Sequence, residues 1–303
     1  MSFTHEKHGK ALRTKSVLNN VGDSQDFLLL FDVHWDNPKS DHDLLTRHLE
    51  EAKERDAKIL FGGDLFCVMQ GRYDPRRSRS GIRPEHDTTH YLDAVIDTAV
   101  EFFAPYAEQI IFIGHGNHEA SVSKNNETSV IDRFAEGIRQ YGGSPVVGGI
   151  GCWWLFGTCN KNGTRKHMTT AFFHHGSGGG GPVTKGVIQT NRRAVYLPDA
   201  EFVFTGHIHE KWQVTTVRDR INTNTGEFYL DEQVHVCVPT YKQEYAPDTT
   251  QFHDILGRPP KPLGGAWLTQ TYMGRKKTKA TQHQKNGGVV IKNEIRFTDG
   301  SYG

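Results

Sequence analysis

The sequence predicts an α/β fold, and three features of its 303 residues support this prediction. Short apolar runs, which are typical of buried strands, recur through the first two thirds of the chain. Segments with helical spacing of apolar residues lie between the first of these runs, as in strand–helix–strand units. Beyond about residue 212 the pattern changes to strands alone. Because we find no internal repeat and no long linker, we predict one domain over residues 1–303, with its core at about 26–212.

Five apolar runs of four or five residues are predicted to be buried strands, because glycine or polar residues stop each of them. A further run, Cys152–Gly157, is separated from the fourth by a polar turn at Asn160–Gly163, which predicts a hairpin. The five runs are Phe27–Phe31, Ala57–Phe61, Gln109–Ile113, Thr169–Phe173 and Glu201–Phe204.

Helices are predicted where apolar residues recur every three or four positions. The first covers Asp41–Arg55, and its leading aspartate is a suitable N-cap. The others along the chain are His90–Tyr106, Glu127–Tyr141 and a short helix at Asn191–Tyr196.

The two ends of the chain have different patterns. Residues 1–25 are polar and irregular, so we expect them to form a leader outside the main fold. In the C-terminal part, Gly257–Gly265 and the basic segment Gly274–Gly287 are predicted to be loops. The strands predicted there are Trp212–Val217, Gly226–Leu230, Gln233–Val238 and Gly288–Phe297.

Composition excludes several classes of protein. The formal net charge is +1, so any nucleic-acid binding must come from local patches rather than a global basic field. The four cysteines lack CxxC spacing, which excludes a zinc ribbon and favours buried thiols. No apolar stretch approaches the ~20 residues that span a bilayer, and the first residues lack the apolar core of a signal peptide. We therefore expect a cytoplasmic protein that does not contact the membrane.

A burst of metal-ligand residues follows each of the five predicted strands. Each burst alone is as easily an ordinary turn, but five in succession are hard to obtain by chance. Ligands bind at the carboxyl ends of strands in α/β sheets, so these side chains are expected to converge and to support metal-assisted cleavage of phosphate esters. The bursts contain Asp32 and His34; Asp64; Asn117, His118 and Glu119; His174 and His175; and His207 and His209.

The motif series over residues 27–210 resembles the calcineurin-like metallophosphoesterase family. The series is Asp-x-His, Gly-Asp, Gly-Asn-His-Glu, His-His-Gly and Gly-His-x-His. In its general look the chain is similar to phage and bacterial members near the DNA-repair nuclease branch, and it could be virus-encoded. The resemblance implies a four-layer α/β/β/α sandwich of two mixed sheets flanked by helices. In that fold, strands and loops at 213–303 would complete the second sheet.

The resemblance also implies two divalent ions, with Mn²⁺ favoured and Fe, Zn, Co or Ni possible. One ion would bind Asp32, His34 and His209. The other would bind Asn117, His207 and either His174 or His175, of which His174 is favoured. Asp64 would bridge both ions. Because this ligand set contains no cysteine, a soft-metal site is disfavoured.

The same resemblance implies that a metal-activated hydroxide attacks phosphorus. His118 would then act on the leaving group or the scissile phosphate, with Glu119 as a candidate to orient it. One departure is Cys67, which stands where the family often has Asp or Asn three residues after its Gly-Asp motif.

An arginine-rich segment at 72–83 points to a substrate with several phosphates. Tyr73 and Trp212 could stack on bases, although a solvated loop and core aromatics are equally compatible with this pattern. We therefore favour a phosphodiesterase or nuclease acting on DNA, RNA or nucleotides. The predicted substrate contacts are Arg72, Tyr73, Arg76, Arg77 and His175.

Two alternatives remain open at this point. One is a phosphomonoesterase acting on proteins or small molecules, and the other is a non-catalytic scaffold that has kept the fold. Protein partners are not predicted.

Overall fold

A computed structural model describes residues 2–70, 81–162, 165–181, 183–245, 259–275 and 289–300. The strands in chain order are β1 (Phe3–His8), β2 (Ala11–Val17), β3 (Ser24–Leu30), β4 (Lys58–Phe61), β5 (Ile110–Ile113), β6 (Val146–Val147), β7 (Gly151–Cys159), β8 (Arg165–His174), β9 (Phe202–Thr205), β10 (Trp212–Ile221), β11 (Phe228–Cys237), β12 (Ala266–Arg275) and β13 (Val289–Phe297). The helices are α1 (His42–Glu54), α2 (Tyr91–Phe103), α3 (Asn117–Asn126), α4 (Val130–Gln140) and α5 (Gln189–Tyr196).

The described strands form two mixed sheets. One has six strands in the order β13-β12-β3-β4-β5-β6, and the other has seven in the order β1-β2-β7-β8-β9-β11-β10. In the first, β3, β4, β5 and β6 run parallel, while β12 is antiparallel to both of its neighbours, β3 and β13. In the second, β8, β9 and β11 run parallel. The carboxyl ends of each parallel set therefore lie at one edge of its sheet.

Strand alternation places one core on each side of the six-stranded sheet. Leu28 and Leu30 of β3 pack with the apolar faces of α1, α2 and α4. Their neighbours Phe27 and Leu29 point to the opposite face and pack against aromatic residues of the seven-stranded sheet, such as Trp154. This arrangement stacks helices, sheet and sheet in that order.

A small cluster covers the outer face of the seven-stranded sheet. It joins Leu197 and Ala200, which follow α5, to Val203 of β9, with Trp153 and Phe172 packed against it. The described chain is thus a layered α/β/β/α structure, and the fold class predicted from sequence is confirmed.

The predicted helices lie close to their expected positions. Asp41 caps α1, because its side chain accepts a hydrogen bond from the Leu44 N–H at 2.9 Å. The second predicted helix ends at Phe103 as an α-helix and continues as a 3₁₀ helix over Ala104–Gln109. α3 was not predicted, because its sequence NHEASVSKNN has little apolar periodicity.

The prediction that residues 1–25 lie outside the fold is wrong. They form β1, β2 and the start of β3, and β2 pairs with β7 inside the seven-stranded sheet. Leu12, Thr14 and Ser16 alternate as buried residues, and Thr14 Oγ1 accepts a hydrogen bond from Trp154 Nε1 at 3.0 Å. Because two of these three buried side chains carry hydroxyls, apolar periodicity did not reveal the strand.

The C-terminal strands also differ from the prediction, since they divide between the two sheets. β10 and β11 join the seven-stranded sheet, with β11 replacing two shorter predicted strands. β12 and β13 join the six-stranded sheet, and β12 pairs with β3. β12 was not predicted, because Gln270 occupies one of its fully buried positions.

Among the described residues, no helix has both the length and the apolar composition needed to cross a membrane.

Candidate metal centre

Loops that follow five strands bring the sequence-predicted ligands together at one edge of the sandwich. The loops after β3, β4 and β5 come from the six-stranded sheet, and those after β8 and β9 come from the seven-stranded sheet. Four of the residues are almost fully buried: Asp32 is 0% exposed, His34 and His175 are each 1% exposed, and Asp64 is 2% exposed. The complete set is Asp32, His34, Asp64, Asn117, His118, His175, His207 and His209.

Five of these residues have left-handed backbone conformations. Asp32, His34, Asp64, His207 and His209 have φ values of 51°, 51°, 49°, 72° and 53°. This region is uncommon for residues other than glycine, although Asn, Asp and His visit it more often than most. Residues held in such conformations cluster at functional sites, where the surrounding structure stabilises them.

Backbone hydrogen bonds hold the first two loops in place. The Asp32 N–H donates to the Gly63 carbonyl at 3.1 Å, and the His34 N–H donates to the Asp64 carbonyl at 3.0 Å. Gly206 allows the β9 loop to approach them, since a Cβ at this position would lie 2.3 Å from Asp32 Oδ2. The His207 N–H donates to the same oxygen at 2.7 Å. The two sheets therefore meet around the Asp32 carboxylate.

One group of donor atoms consists of Asp32, His34 and His209, whose ligand atoms all lie within 4.8 Å of one another. His34 Nε2 is 3.3 Å from His209 Nε2. Asp32 Oδ1 is 3.4 Å from His209 Nε2 and 3.9 Å from His34 Nε2. One carboxylate oxygen and two imidazole nitrogens thus face one another.

A second group consists of Asp64, His175 and His207, with ligand atoms again within 4.8 Å of one another. His175 Nε2 is 3.0 Å from Asp64 Oδ2. The Asn117 side-chain oxygen joins this group, at 2.7 Å from His207 Nδ1 and 3.1 Å from His175 Nε2. The carboxylate, amide and imidazole donors suit a divalent ion such as Mn²⁺ or Zn²⁺.

The Asp32 carboxylate faces both groups. Its Oδ1 atom lies 3.8 Å from His175 Nε2, in addition to its contacts with the first group. This oxygen is buried and has no hydrogen-bond partner among the described residues. Because a buried charged oxygen without a partner is costly, it is a fitting ligand for a cation between the two groups. Asp64, which the resemblance implied as the bridge, contacts His175 and His118, and its bridging role stays a prediction.

Electrostatics favour a cation at the same place. Burial lowers the pKa of His34 and of His207, which keeps both imidazoles in the neutral form that binds metals. Burial would also lower the pKa of His175, but the carboxylates of Asp32 and Asp64 raise it to about 9. For Asp64, burial opposes ionisation, but its hydrogen bond with His175 and the nearby imidazoles lower its pKa to about 2. The same two carboxylates that favour a positive charge on His175 would favour a divalent ion beside it.

The first turn of α3 positions Asp64. The His118 N–H donates to Asp64 Oδ1 at 3.0 Å, so the carboxylate sits at a helix N-terminus, where negative charge is stabilised. Gly116 precedes the helix, and a Cβ there would lie 2.0 Å from Asp64 Oδ1. Only glycine therefore leaves room for the carboxylate.

Glu119 has a different role from the predicted one. Its fully buried carboxylate accepts hydrogen bonds from three backbone N–H groups: Gly116 at 2.8 Å, Phe66 at 2.9 Å and Asp64 at 3.2 Å. Burial and then the charge of Asp64 raise the pKa of Glu119, while the N–H donors favour its ionised form. Glu119 thus fixes the backbone of the Asp64 loop, whereas the prediction had it orient His118.

The Cys67 carbonyl orients His118 instead. His118 Nδ1 lies 2.6 Å from this oxygen, which accepts its N–H, and the ring then presents Nε2 to the centre at 3.6 Å from Asp64 Oδ2. The side chain is 11% exposed, more than the buried carboxylate of Asp64.

His175, and not His174, lies in the candidate metal centre, whereas the family resemblance favoured His174. β8 extends through His174, and alternation puts this side chain on the outer face with Phe172, while Phe173 points inward. His174 Nδ1 accepts the Gly176 N–H at 2.9 Å. His175, the first residue beyond the strand, is free to turn into the site. It therefore moves from the predicted substrate contacts to the candidate metal ligands.

This pair of adjacent histidines provides a direct test. We expect His175→Ala to weaken Mn²⁺ binding by at least about tenfold, because it removes a donor of the second group. We expect His174→Ala to bind Mn²⁺ as the wild type does, because its ring lies on the outer face. Isothermal titration of both variants measures the difference. Loss of Mn²⁺ binding in His174→Ala with retention in His175→Ala would contradict this placement.

Three residues near the centre were not predicted from sequence. Lys242 Nζ pairs with Glu244 Oε1 at 3.0 Å, and Glu244 Oε2 lies 3.9 Å from His209 Nδ1. Both follow the carboxyl end of β11, which is parallel to β9, so the strand-end rule extended past residue 210 would have found them. The third is Cys67, which lies close to His34 and His118. Burial raises the pKa of its thiol to about 12.

The predicted substrate contacts Arg72, Tyr73, Arg76 and Arg77 lie outside the described residues. Trp212, the other aromatic predicted to stack on a base, begins β10, and its Nε1 donates to the Lys185 carbonyl at 2.9 Å.

Comparisons with known proteins give limited guidance. No family model matches the chain, and no curated protein matches it. Among solved structures, vacuolar protein sorting 29 from Cryptosporidium parvum is similar, with 11% identity, a TM-score of 0.37, and coverage of 92% of this chain and 98% of that chain.

Two other solved structures are similar at the same low level. One is a conserved uncharacterised protein from Streptococcus pneumoniae described as a predicted phosphoesterase, with 11% identity, a TM-score of 0.31, and coverage of 90% and 99%. The other is wild-type Vps29 complexed with zinc from Entamoeba histolytica, with 9% identity, a TM-score of 0.32, and coverage of 90% and 99%. At these identities and TM-scores the comparisons assign neither family nor function to this chain.

Proposed function

We propose that this protein is a calcineurin-like metallophosphoesterase that uses two divalent ions, preferably Mn²⁺, to hydrolyse phosphodiesters in nucleic acids or nucleotides. The observation that carries the proposal is the pair of adjacent donor groups, Asp32–His34–His209 and Asp64–His175–His207. The carboxylate of Asp32 faces both groups. Two such groups side by side suit a two-ion centre that clamps a phosphate.

Two ions bound there would supply Lewis acidity to a phosphate and lower the pKa of a bound water. The residues of the chain provide the remaining parts. His118 is placed to carry a proton on Nε2 towards the leaving oxygen, because the Cys67 carbonyl holds Nδ1 on the far side of the ring. Asn117 adds a neutral oxygen that binds without increasing negative charge near the phosphate.

A diester substrate is favoured by the surroundings of the centre. A cavity of about 500 Å³ lies beside the loop of Cys67 and is lined by Val68, Gln70, Ile82, Tyr91 and Val122 among others. Among the described residues, its lining contains none of the candidate metal ligands, and it adjoins the centre only through the loop that carries Cys67 and Val68. In the sequence, the arginine-rich segment 72–83 begins two residues after Gln70, which supports contacts with a substrate that carries several phosphates.

A substrate screen tests the proposal. With Mn²⁺ added, we expect the purified protein to hydrolyse bis-p-nitrophenyl phosphate and single-stranded DNA faster than p-nitrophenyl phosphate. A preference for the monoester would support a phosphomonoesterase instead. No turnover of any of the three by the Mn²⁺-loaded protein would indicate a scaffold and would refute the proposed activity.

His118 can be tested separately from the metal ligands. We expect His118→Ala to lower diester turnover by about 10²–10⁴-fold, which is the usual contribution of a general acid. The number of Mn²⁺ ions bound per chain should stay the same, because His118 belongs to neither of the two groups. Loss of Mn²⁺ from this variant would show that His118 is a ligand rather than a proton donor.

A further inference from the structure

A third group of donor atoms lies beside the two proposed metal positions. It consists of His34, Cys67 and His118, and their ligand atoms all lie within 4.8 Å of one another. The two imidazole rings meet edge to face, with centroids 5.1 Å apart. This group differs from the other two because it contains a thiol and no carboxylate.

The thiol is held in place by its surroundings. The Asp36 carboxylate accepts the N–H groups of Cys67 and Val68 at 2.5 and 2.8 Å, which fixes the backbone of this loop. Asn37 Nδ2 donates to Cys67 Sγ at 3.4 Å. Cys67 is 3% exposed, so its side chain has little freedom to turn away.

Each histidine of this group has one ring nitrogen that is available to bind an ion. His34 is 1% exposed, and its Nδ1 atom has no hydrogen-bond partner among the described residues. His118 uses Nδ1 on the Cys67 carbonyl and leaves Nε2 available. A buried imidazole nitrogen without a partner is unusual and points to a ligand at this position.

We propose that His34, Cys67 and His118 form a third cation site that selects a thiophilic divalent ion such as Cd²⁺ or Zn²⁺. Imidazole and thiolate are softer donors than the carboxylates of the other two groups, so they favour these ions over Mn²⁺. Zinc commonly binds three protein ligands drawn from His, Cys and carboxylates and keeps a fourth position open, and this group supplies three such ligands. On binding, the S–H bond breaks, a sulfur–metal bond forms and the proton passes to solvent.

An ion at this site would inhibit the enzyme, a consequence that rests on the proposed function. It would occupy His118, the proposed proton donor, and compete for His34, a ligand of the first group. The protein would then respond in opposite ways to two kinds of cation, with activation by Mn²⁺ and inhibition by Cd²⁺.

Ultraviolet absorption tests the site without reference to activity. Protein saturated with Mn²⁺ is titrated with Cd²⁺, and the thiolate-to-cadmium charge-transfer band is followed. We expect the wild type to develop this band to saturation at one Cd²⁺ per chain. We expect Cys67→Ser and Cys67→Ala to lack it. Cys159→Ser, which removes another buried thiol, should show the wild-type band.

His118→Ala keeps the thiol and provides a second measurement. We expect its Cd²⁺ affinity to fall by at least about tenfold, because a ligand is lost. The proposal is overturned if the wild type shows no band, if the band survives in the Cys67 variants, or if His118→Ala binds Cd²⁺ unchanged. Since none of these measurements depends on turnover, a protein without phosphoesterase activity can still confirm the site.

Discussion

Asp64→Ala is expected to reduce phosphodiester turnover by about 10³-fold or more and to release bound Mn²⁺. The reason is that the Asp64 carboxylate belongs to the second donor group, with Oδ2 at 3.0 Å from His175 Nε2. Its Oδ1 atom also accepts a hydrogen bond from the His118 N–H in the first turn of α3. A metal ion contributes several kcal/mol to stabilising charge in the transition state, and each ~1.4 kcal/mol is a tenfold change in rate. Steady-state kinetics and elemental analysis measure the two effects.

Asp56→Ala is the matched control for this variant. Asp56 has the same left-handed backbone, with φ of 48° against 49° for Asp64, but its side chain is exposed and pairs with Lys58. Alanine at either position carries the same backbone strain, so Asp56→Ala isolates the stability cost of that strain. We expect this control to keep wild-type turnover and metal content. Equal losses in both variants would attribute the effect of Asp64→Ala to the backbone rather than to metal binding.

Glu119→Ala is expected to lower the free energy of unfolding by about 3–9 kcal/mol. The substitution leaves the buried N–H groups of Asp64, Phe66 and Gly116 without an acceptor, and each unpaired group costs about 1–3 kcal/mol. Urea denaturation followed by circular dichroism measures this change. A loss below about 1 kcal/mol would show that water or another group can replace the carboxylate.

Glu136→Ala serves as the control on a helix surface. Glu136 lies on α4 and forms an exposed pair with Arg139 three residues away. Exposed pairs of this kind contribute little, so we expect a change below about 0.5 kcal/mol. The difference between the two changes in free energy of unfolding measures how much more the buried carboxylate of Glu119 contributes than an exposed one.

Most of the candidate site was predictable because the ends of its strands can be recognised in the sequence. The apolar runs before Asp32, Asp64 and His207 end abruptly in glycine or polar residues, and parallel strands carry their following loops to one edge. The structure brings these residues together as expected. Whether they bind metal stays a prediction that the variants above test.

What escaped prediction depended on positions that periodicity does not resolve. The choice between His174 and His175 depends on a single residue at the end of β8, and strand ends are uncertain by more than that. Lys242 and Glu244 follow β11, beyond the last strand end that we assigned to the site, and Cys67 was noted only as a departure from the family motif. Thr14 and Gln270 are buried polar residues, so the strands that carry them did not look apolar.

The candidate centre takes its donors from both sheets, with Asp32, His34, Asp64 and Asn117 from one and His175, His207 and His209 from the other. A bound ion would therefore act as a reversible cross-link between the two sheets. The free energy of unfolding would then depend on the concentration of free cation. It would rise by about 1.4 kcal/mol for each tenfold increase in that concentration above the dissociation constant. A cell short of the ion would lose folded protein as well as catalysis.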